Sequence, residues 1–207
     1  MFTGSGAKPN HPTGWVANHG STVSFNVPDN WTAGRIWGRQ GCDSSGRCAN
    51  GGCGGGMECV ATGATPATLA EFTFKGSGGQ DFYDVSLVDG FNLPMSITNN
   101  ARCGVPECKV DLNPGCPAPL KGPVSNGHNL GCKSACIALP NPTNSRNCCS
   151  GQFSTPDKCP ASGVQFYNYF KGKCPKTYVF AYDEKSGNAI YTCPSSKSAH
   201  YTVTFCP

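Results

Sequence analysis

The chain has 207 residues, enough for one large all-β domain or two small domains with a sizeable core. Only 14% of the residues are charged while 27 are Gly and 17 are Pro, a balance that favours many turns over long helices. The formal charge of +4 comes from scattered Lys and Arg with no aromatic-interleaved basic run, and no apolar run approaches the ~20 residues of a membrane span, so neither nucleic acid nor a transmembrane segment is expected.

Fifteen cysteines are far more than a cytosolic protein uses. Their spacings do not form paired C-x-x-C units, and His11, His19, His128 and His200 are dispersed, so no metal site and no cofactor is expected. A disulfide framework formed in an oxidising, secretory compartment is the better account. Each bridge adds ~2–4 kcal/mol by restricting the unfolded chain. The sequon Asn30-Trp31-Thr32 marks Asn30 as a glycosylation site.

In chain order, no signal peptide is visible within the chain, and residues 1–12 read as loop. Ser21 to Val27 alternates, with Val23, Phe25 and Val27 on one face, and reads as a strand. Gly34 to Arg39 makes another. Residues 41–59 hold four cysteines in a glycine-rich run too poor in side chains to pack a core, and are expected to be stapled. Leu69 to Met95 then gathers Glu71, Asp81, Asp84 and Asp89, four of only 12 acidic residues, on two strand-like runs separated by the turn Gly76 to Gly79. From Cys103 to Cys159 the chain is dense in Cys, Pro, Gly and Asn without an apolar period. Phe166, Tyr167, Tyr169 and Phe170 predict one short helix within Ser162 to Lys173, stopped by Pro175. Tyr178 to Tyr182, Ala189 to Cys193 and Tyr201 to Cys206 return to strand-like alternation.

These elements predict an all-β fold: an antiparallel β-sandwich with an inserted disulfide-rich loop lobe containing one short helix. The expected division is a single unit over 1–207, with residues 1–40, 72–109 and 175–207 forming the sandwich, 41–71 a small disulfide-stapled loop region and 110–174 the lobe.

Four segments carry a family resemblance: Gly34-Arg35-Ile36-Trp37-Gly38-Arg39-Gln40-Gly41-Cys42, Thr68-Leu69-Ala70-Glu71-Phe72, Asp81 to Met95 and the ending Tyr201 to Pro207. From about residue 13 onward the chain resembles the thaumatin-like proteins. One local departure is Cys48-Ala49-Asn50-Gly51-Gly52-Cys53, where the family signature has Thr and Asp in place of Asn50 and Gly52. The family has sixteen cysteines in eight bridges. The resemblance implies Cys42–Cys48, Cys53–Cys59, Cys103–Cys193, Cys108–Cys174, Cys116–Cys132, Cys136–Cys148 and Cys149–Cys159. It leaves Cys206 unpaired, because the family's first cysteine and first strand have no counterpart. An open sheet edge and a less stable, dimer-prone molecule are therefore expected, monomeric except for linkage through Cys206.

The resemblance also implies a cleft of one Arg, one Glu and three Asp, which fall on Arg35, Glu71, Asp84, Asp89 and Asp183. Family members with this set are associated with β-1,3-glucan binding, antifungal action and, in some cases, weak endo-β-1,3-glucanase activity. The chemistry agrees with the residues. Glycoside hydrolysis uses one protonated and one ionised carboxyl, and crowded carboxylates raise each other's pKa. Glu71 is expected as general acid and Asp89 as base or nucleophile. Arg35, Asp84 and Asp183 would bind substrate and tune charge, with Phe91 and Tyr182 stacking on sugar rings. Asp81 is expected to face solvent, and Glu184 competes with Asp183 for the last place. Asp84 and Asp89 lie five apart, so a shared cleft requires a bend between them. The partner implied is β-1,3-glucan or another cell-wall polysaccharide, met outside the cell. The alternatives are an inhibitory or antifungal protein acting on proteins or membranes without hydrolysis, and a sweet-tasting or storage-like protein, which would have no use for the five-residue set.

Overall fold

A computed structural model describes residues 1–207. It contains β1 (Phe2–Ser5), β2 (Thr32–Trp37), β3 (Gln40–Cys42), β4 (Cys48–Asn50), β5 (Leu69–Gly76), β6 (Gln80–Ser86), β7 (Met95–Asn99) and β8 (Glu107–Cys108). There follow β9 (Val124–Ser125), β10 (His128–Asn129), the helices α1 (Ala135–Ala138) and α2 (Tyr167–Lys173), then β11 (Tyr191–Pro194) and β12 (Tyr201–Phe205). No helix is long and apolar enough to cross a membrane.

Two antiparallel sheets form the sandwich, one ordered β1-β2-β5-β6-β11 and the other β12-β7-β8. Period-two alternation fixes which residues meet between them. Along β5, Ala70 and Phe72 point inward while Glu71 and Thr73 lie on the opposite face. Along β6, Tyr83 and Val85 point inward. Tyr201 of β12 closes the gap, its ring centroid 4.9 Å from Tyr83, 5.7 Å from Phe72 and 5.5 Å from Phe74. Burying each such aromatic contributes about 1.5–3 kcal/mol. The same buried cluster continues through Leu112, Leu120 and Phe170, so the lobe shares the sandwich core.

Seven disulfides form, Cys42–Cys48, Cys53–Cys59, Cys103–Cys193, Cys108–Cys174, Cys116–Cys132, Cys136–Cys148 and Cys149–Cys159, the pairs the resemblance implies. Cys206 is free and exposed. Partial burial and the charge of Asp111 hold its thiol above the usual cysteine range, so its thiolate is scarce at neutral pH. Titration of the folded protein with an aromatic disulfide is expected to find one thiol per chain, reacting faster as pH rises. A count of zero or of more than one contradicts this pairing.

Several expectations need correction. Phe2–Ser5, read as loop, is a strand that pairs along β2 with Phe2 opposite Arg35 and Ser5 opposite Thr32, while β12, which runs into Cys206, is an edge strand of its sheet. Gly34 makes room there: a Cβ on it would come within 2.3 Å of the Trp31 ring, which lies buried with its Nε1 donating to Thr3 Oγ1 at 2.6 Å. With β1 and β5 on its two sides, β2 has no edge left for Ser21 to Val27. That segment is irregular, Val23 is exposed, and Phe25 stacks on His11 at 4.5 Å. Helix α2 begins only at Tyr167, since Phe166 sits in the left-handed region with φ 60°. Of Tyr178 to Tyr182, only Tyr178 bridges to a strand, parallel to Ser86.

The signature departure also has a structural place. Asn50 is buried, accepting from Asn92 Nδ2 at 2.9 Å and donating to Leu130 O at 3.2 Å. Asn92 O in turn accepts from Asn113 Nδ2 at 2.8 Å. These amides join the glycine-rich loop, the sandwich and the lobe. Asn30, in the sequon, lies exposed on the turn before β2.

Candidate functional site

Strand register builds the site. Arg35 on β2 lies opposite Glu71 on β5, and Glu71 lies opposite Asp84 on β6, so three charged residues stand side by side across three neighbouring strands. Directly opposed residues point to the same face of a sheet, here the face away from the core. The bend required for Asp89 occurs just beyond β6. Gly90 N donates to Leu87 O at 2.9 Å, and Gly90 takes φ 86°, where its missing Cβ would meet Cys132 O and Pro66 Cβ at 2.7 Å each. The turn swings Asp89 back over the sheet, its carbonyl pinned by Ala67 N at 3.0 Å.

Arg35 therefore pairs with two acids. Its Nε lies 2.9 Å from Glu71 Oε1 and its Nη1 lies 3.6 Å from Asp89 Oδ2. All three side chains are about a quarter to a third exposed, so solvent screens these pairs. Asp84 is different. It is 7% exposed, and its Oδ1 is buried without a hydrogen-bond partner. Together Arg35, Glu71, Asp84 and Asp89 line an open pocket of about 350 Å³.

One cation among three acids leaves a surplus of negative charge, and burial makes the surplus costly. Burial pushes the Glu71 carboxyl above the usual range and the Asp89 charge adds to this, while Arg35 and the Ser86 hydroxyl pull it back. Asp84 is pushed further, by burial first and then by the charges of Glu71 and Glu184, with Arg35 opposing. The neighbours Glu71 and Asp84 are thus both biased toward the protonated form, Asp84 the more strongly.

Other expected residues lie elsewhere. Asp183 is 1% exposed and committed to structure: Oδ1 accepts from Tyr167 Oη at 2.8 Å, and Oδ2 accepts from Lys171 Nζ and Val179 N at 2.9 Å each. Phe91 is wholly buried in the core and offers no surface to a sugar. Tyr182 donates to Ser154 O at 2.7 Å and does not line the pocket. Asp81 faces inward rather than to solvent, accepting from Ser195 Oγ at 2.6 Å, Tyr201 Oη at 3.0 Å and Lys75 N at 3.1 Å. Conversely, Phe82, Ser86, Val88, Tyr178 and Ile190 line the pocket without having been singled out. Period two from Asp84 points to Phe82 and Ser86. No local signal points to Tyr178.

The whole chain, residues 1–207, matches the Thaumatin family. The protein belongs to that family. Among its relatives, "Thaumatin-like protein 1" of Pyrus pyrifolia is 44% identical over 215 aligned positions, covering 100% of this chain and 84% of the relative. "Thaumatin-like protein 1" of Prunus persica is also 44% identical, over 94% of this chain and 79% of its own length. A third relative, from Prunus avium, carries the name "Glucan endo-1,3-beta-glucosidase" and is 40% identical, again over 94% of this chain and 79% of its own length.

Proposed function

We propose that this thaumatin-family protein is secreted, binds β-1,3-glucan of fungal-type cell walls in the pocket over β2, β5 and β6, and hydrolyses it slowly as an endo-β-1,3-glucanase. The observation that carries the reading is the line Arg35–Glu71–Asp84, closed by Asp89 on Arg35, with an unpartnered carboxyl oxygen at its buried end. The Prunus avium relative's name agrees with it, and the seven disulfides fit an oxidising destination.

In this reading Glu71, the more accessible member of the proton-holding pair, donates its proton to the glycosidic oxygen as the C–O bond breaks. Asp84 beside it resists ionising still more strongly, and so is a proton reserve from which Glu71 is reprotonated after each transfer. Asp89 receives the positive charge developing at the anomeric carbon, either directly or through a water that it deprotonates. Arg35 holds Asp89 and Glu71 in place and donates to sugar hydroxyls. Water supplies the balance, its hydroxyl ending on the anomeric carbon.

Reducing-sugar release from laminarin is expected to fall about 100-fold or more in Glu71→Gln. The wild-type rate should also fall as pH rises through the raised pKa of the Glu71–Asp84 pair, because the donor is then lost. Retention on insoluble β-1,3-glucan tests the binding half. If wild type and the Glu71→Gln, Asp89→Asn double variant bind equally, the pocket is not the glucan site, and a role directed at proteins or membranes replaces this one.

A further inference from the structure

The wall of the pocket beyond β6 is a loop that leaves that strand's edge and returns to it. Tyr178 N donates to Val85 O at 2.9 Å and Leu87 N donates to Tyr178 O at 2.7 Å, which fixes Tyr178 beside the end of β6. The chain rejoins β6 at Tyr191, opposite Tyr83. Between these anchors the 3-10 turn Asp183–Ser186 carries two adjacent acids that point to different partners. Asp183 goes inward to Lys171, Tyr167 and Val179 N. Glu184 stays exposed and accepts from the Tyr178 hydroxyl, which also lies 3.1 Å from Ala181 O.

The Tyr178 ring is thereby held at its backbone by β6 and at its hydroxyl by Glu184, and between those points it lines the pocket beside Asp84 and Ser86. A pyranose has C–H groups on its faces and hydroxyls around its rim. An aromatic wall next to a floor of Arg35 and carboxylates suits that division, with apolar lining for the faces and a few fixed polar groups for the rim. We propose that Tyr178 is the saccharide-facing aromatic of this pocket, and that Glu184 and Asp183 are positioning residues, Glu184 acting through the Tyr178 hydroxyl and Asp183 through the root of the loop. The assignment rests on the glucan-binding reading above. It places the stacking surface on a residue that neither Phe91 nor Tyr182 can replace.

Glu184 also bears on the floor. Asp84 is faced by Glu71 from β5, Arg35 from β2, and Glu184 and Tyr178 from the loop, so Glu184 contributes one of the like charges that oppose its ionisation.

The test measures retention on particulate β-1,3-glucan together with the titration of Asp84 followed by carboxyl NMR. Tyr178→Ala is expected to bind about tenfold less. Tyr178→Phe, which keeps the ring and serves if the alanine variant fails to fold, and Glu184→Gln are each expected to bind about two- to fivefold less. The pair together should lose no more than either alone, since both break one contact. Glu184→Gln should in addition lower the pH at which Asp84 titrates, a change that a role in loop stability alone does not produce. Wild-type binding by Tyr178→Phe and Glu184→Gln, with the Asp84 titration unmoved, overturns the assignment. The Glu71→Gln, Asp89→Asn double variant separates the two levels. If it loses binding while Tyr178→Ala keeps it, only the Tyr178 assignment falls; if it binds as wild type, the glucan reading falls and takes the assignment with it.

Discussion

Asp183→Ala is expected to destabilise the protein by about 3–5 kcal/mol, the usual loss when one partner of a buried ion pair is removed. Asp183 is 1% exposed and its side chain accepts three hydrogen bonds. Its removal leaves the Lys171 ammonium, whose side chain is only 12% exposed, with Thr177 O as its remaining partner at 2.7 Å. Burial already pulls the Lys171 pKa down, and Asp183 is what opposes that pull. Calorimetry should show the melting temperature lower by about 10 °C. The double variant Asp183→Ala, Lys171→Met should recover part of the loss, because the stranded charge is gone. If the two single losses simply add, the residues act independently and the account of a coupled knot is wrong. Since α2 supplies Lys171 and Tyr167, the same knot ties the lobe to the loop that walls the pocket.

Asp84→Asn is expected to act in the opposite direction, raising stability at neutral pH while damaging function. The sign follows from linkage. The folded-state pKa of Asp84 lies well above the unfolded value near 3.8, so between the two the folded state binds more protons than the unfolded state. Stability therefore falls as pH rises through that window, and above it the wild type carries the full cost of a buried, poorly partnered carboxylate. Asparagine carries no such charge. The variant should gain about 1–3 kcal/mol at neutral pH, or several degrees in melting temperature. The gain should vanish below the unfolded pKa, where both side chains are neutral. Melting curves from pH 3 to pH 8 would check this, and a gain independent of pH would show that ionisation is not its source. Functional sites are where such losses of stability are expected.

How much of this was legible depended on range. The strand pair around Glu71 and Asp84 could be read locally, because alternation assigns faces without knowledge of partners. Parity also separates Asp81 from Asp84, three residues apart on one strand, onto opposite faces. It does not say which face is the core. That was decided by Ser195 and Tyr201, which lie more than 110 positions away and receive Asp81 indoors. Strand β1 escaped notice for a similar reason: Phe-Thr-Gly-Ser has little strand character of its own and is held by the register it finds along β2. Val23 and Phe25 made the converse error, a convincing alternation in a segment that pairs with no strand. Arg35, Glu71, Asp84 and Asp89 came through the family motifs and do meet in one pocket. Asp183 came through the resemblance but from outside those motifs, and does not line it, since Lys171 and Tyr167 on α2 claim its carboxylate.

The charged floor and the aromatic wall stand on different kinds of backbone, and this affects how the pocket can change over time. Arg35, Glu71 and Asp84 are held by strands whose other faces fill the core, so a one-residue slip would turn Phe72 and Tyr83 out to water at the same moment that it scattered the acids. The wall is Tyr178, pinned to the edge of β6, together with the loop from residue 179 to 190 that holds its hydroxyl and is fastened at its two ends and at Asp183. The loop can be lengthened, shortened or re-sided without touching the register beneath it. A lineage built on this fold can therefore try new ligands by rewriting a dozen residues, while the charged floor is inherited with the sandwich itself.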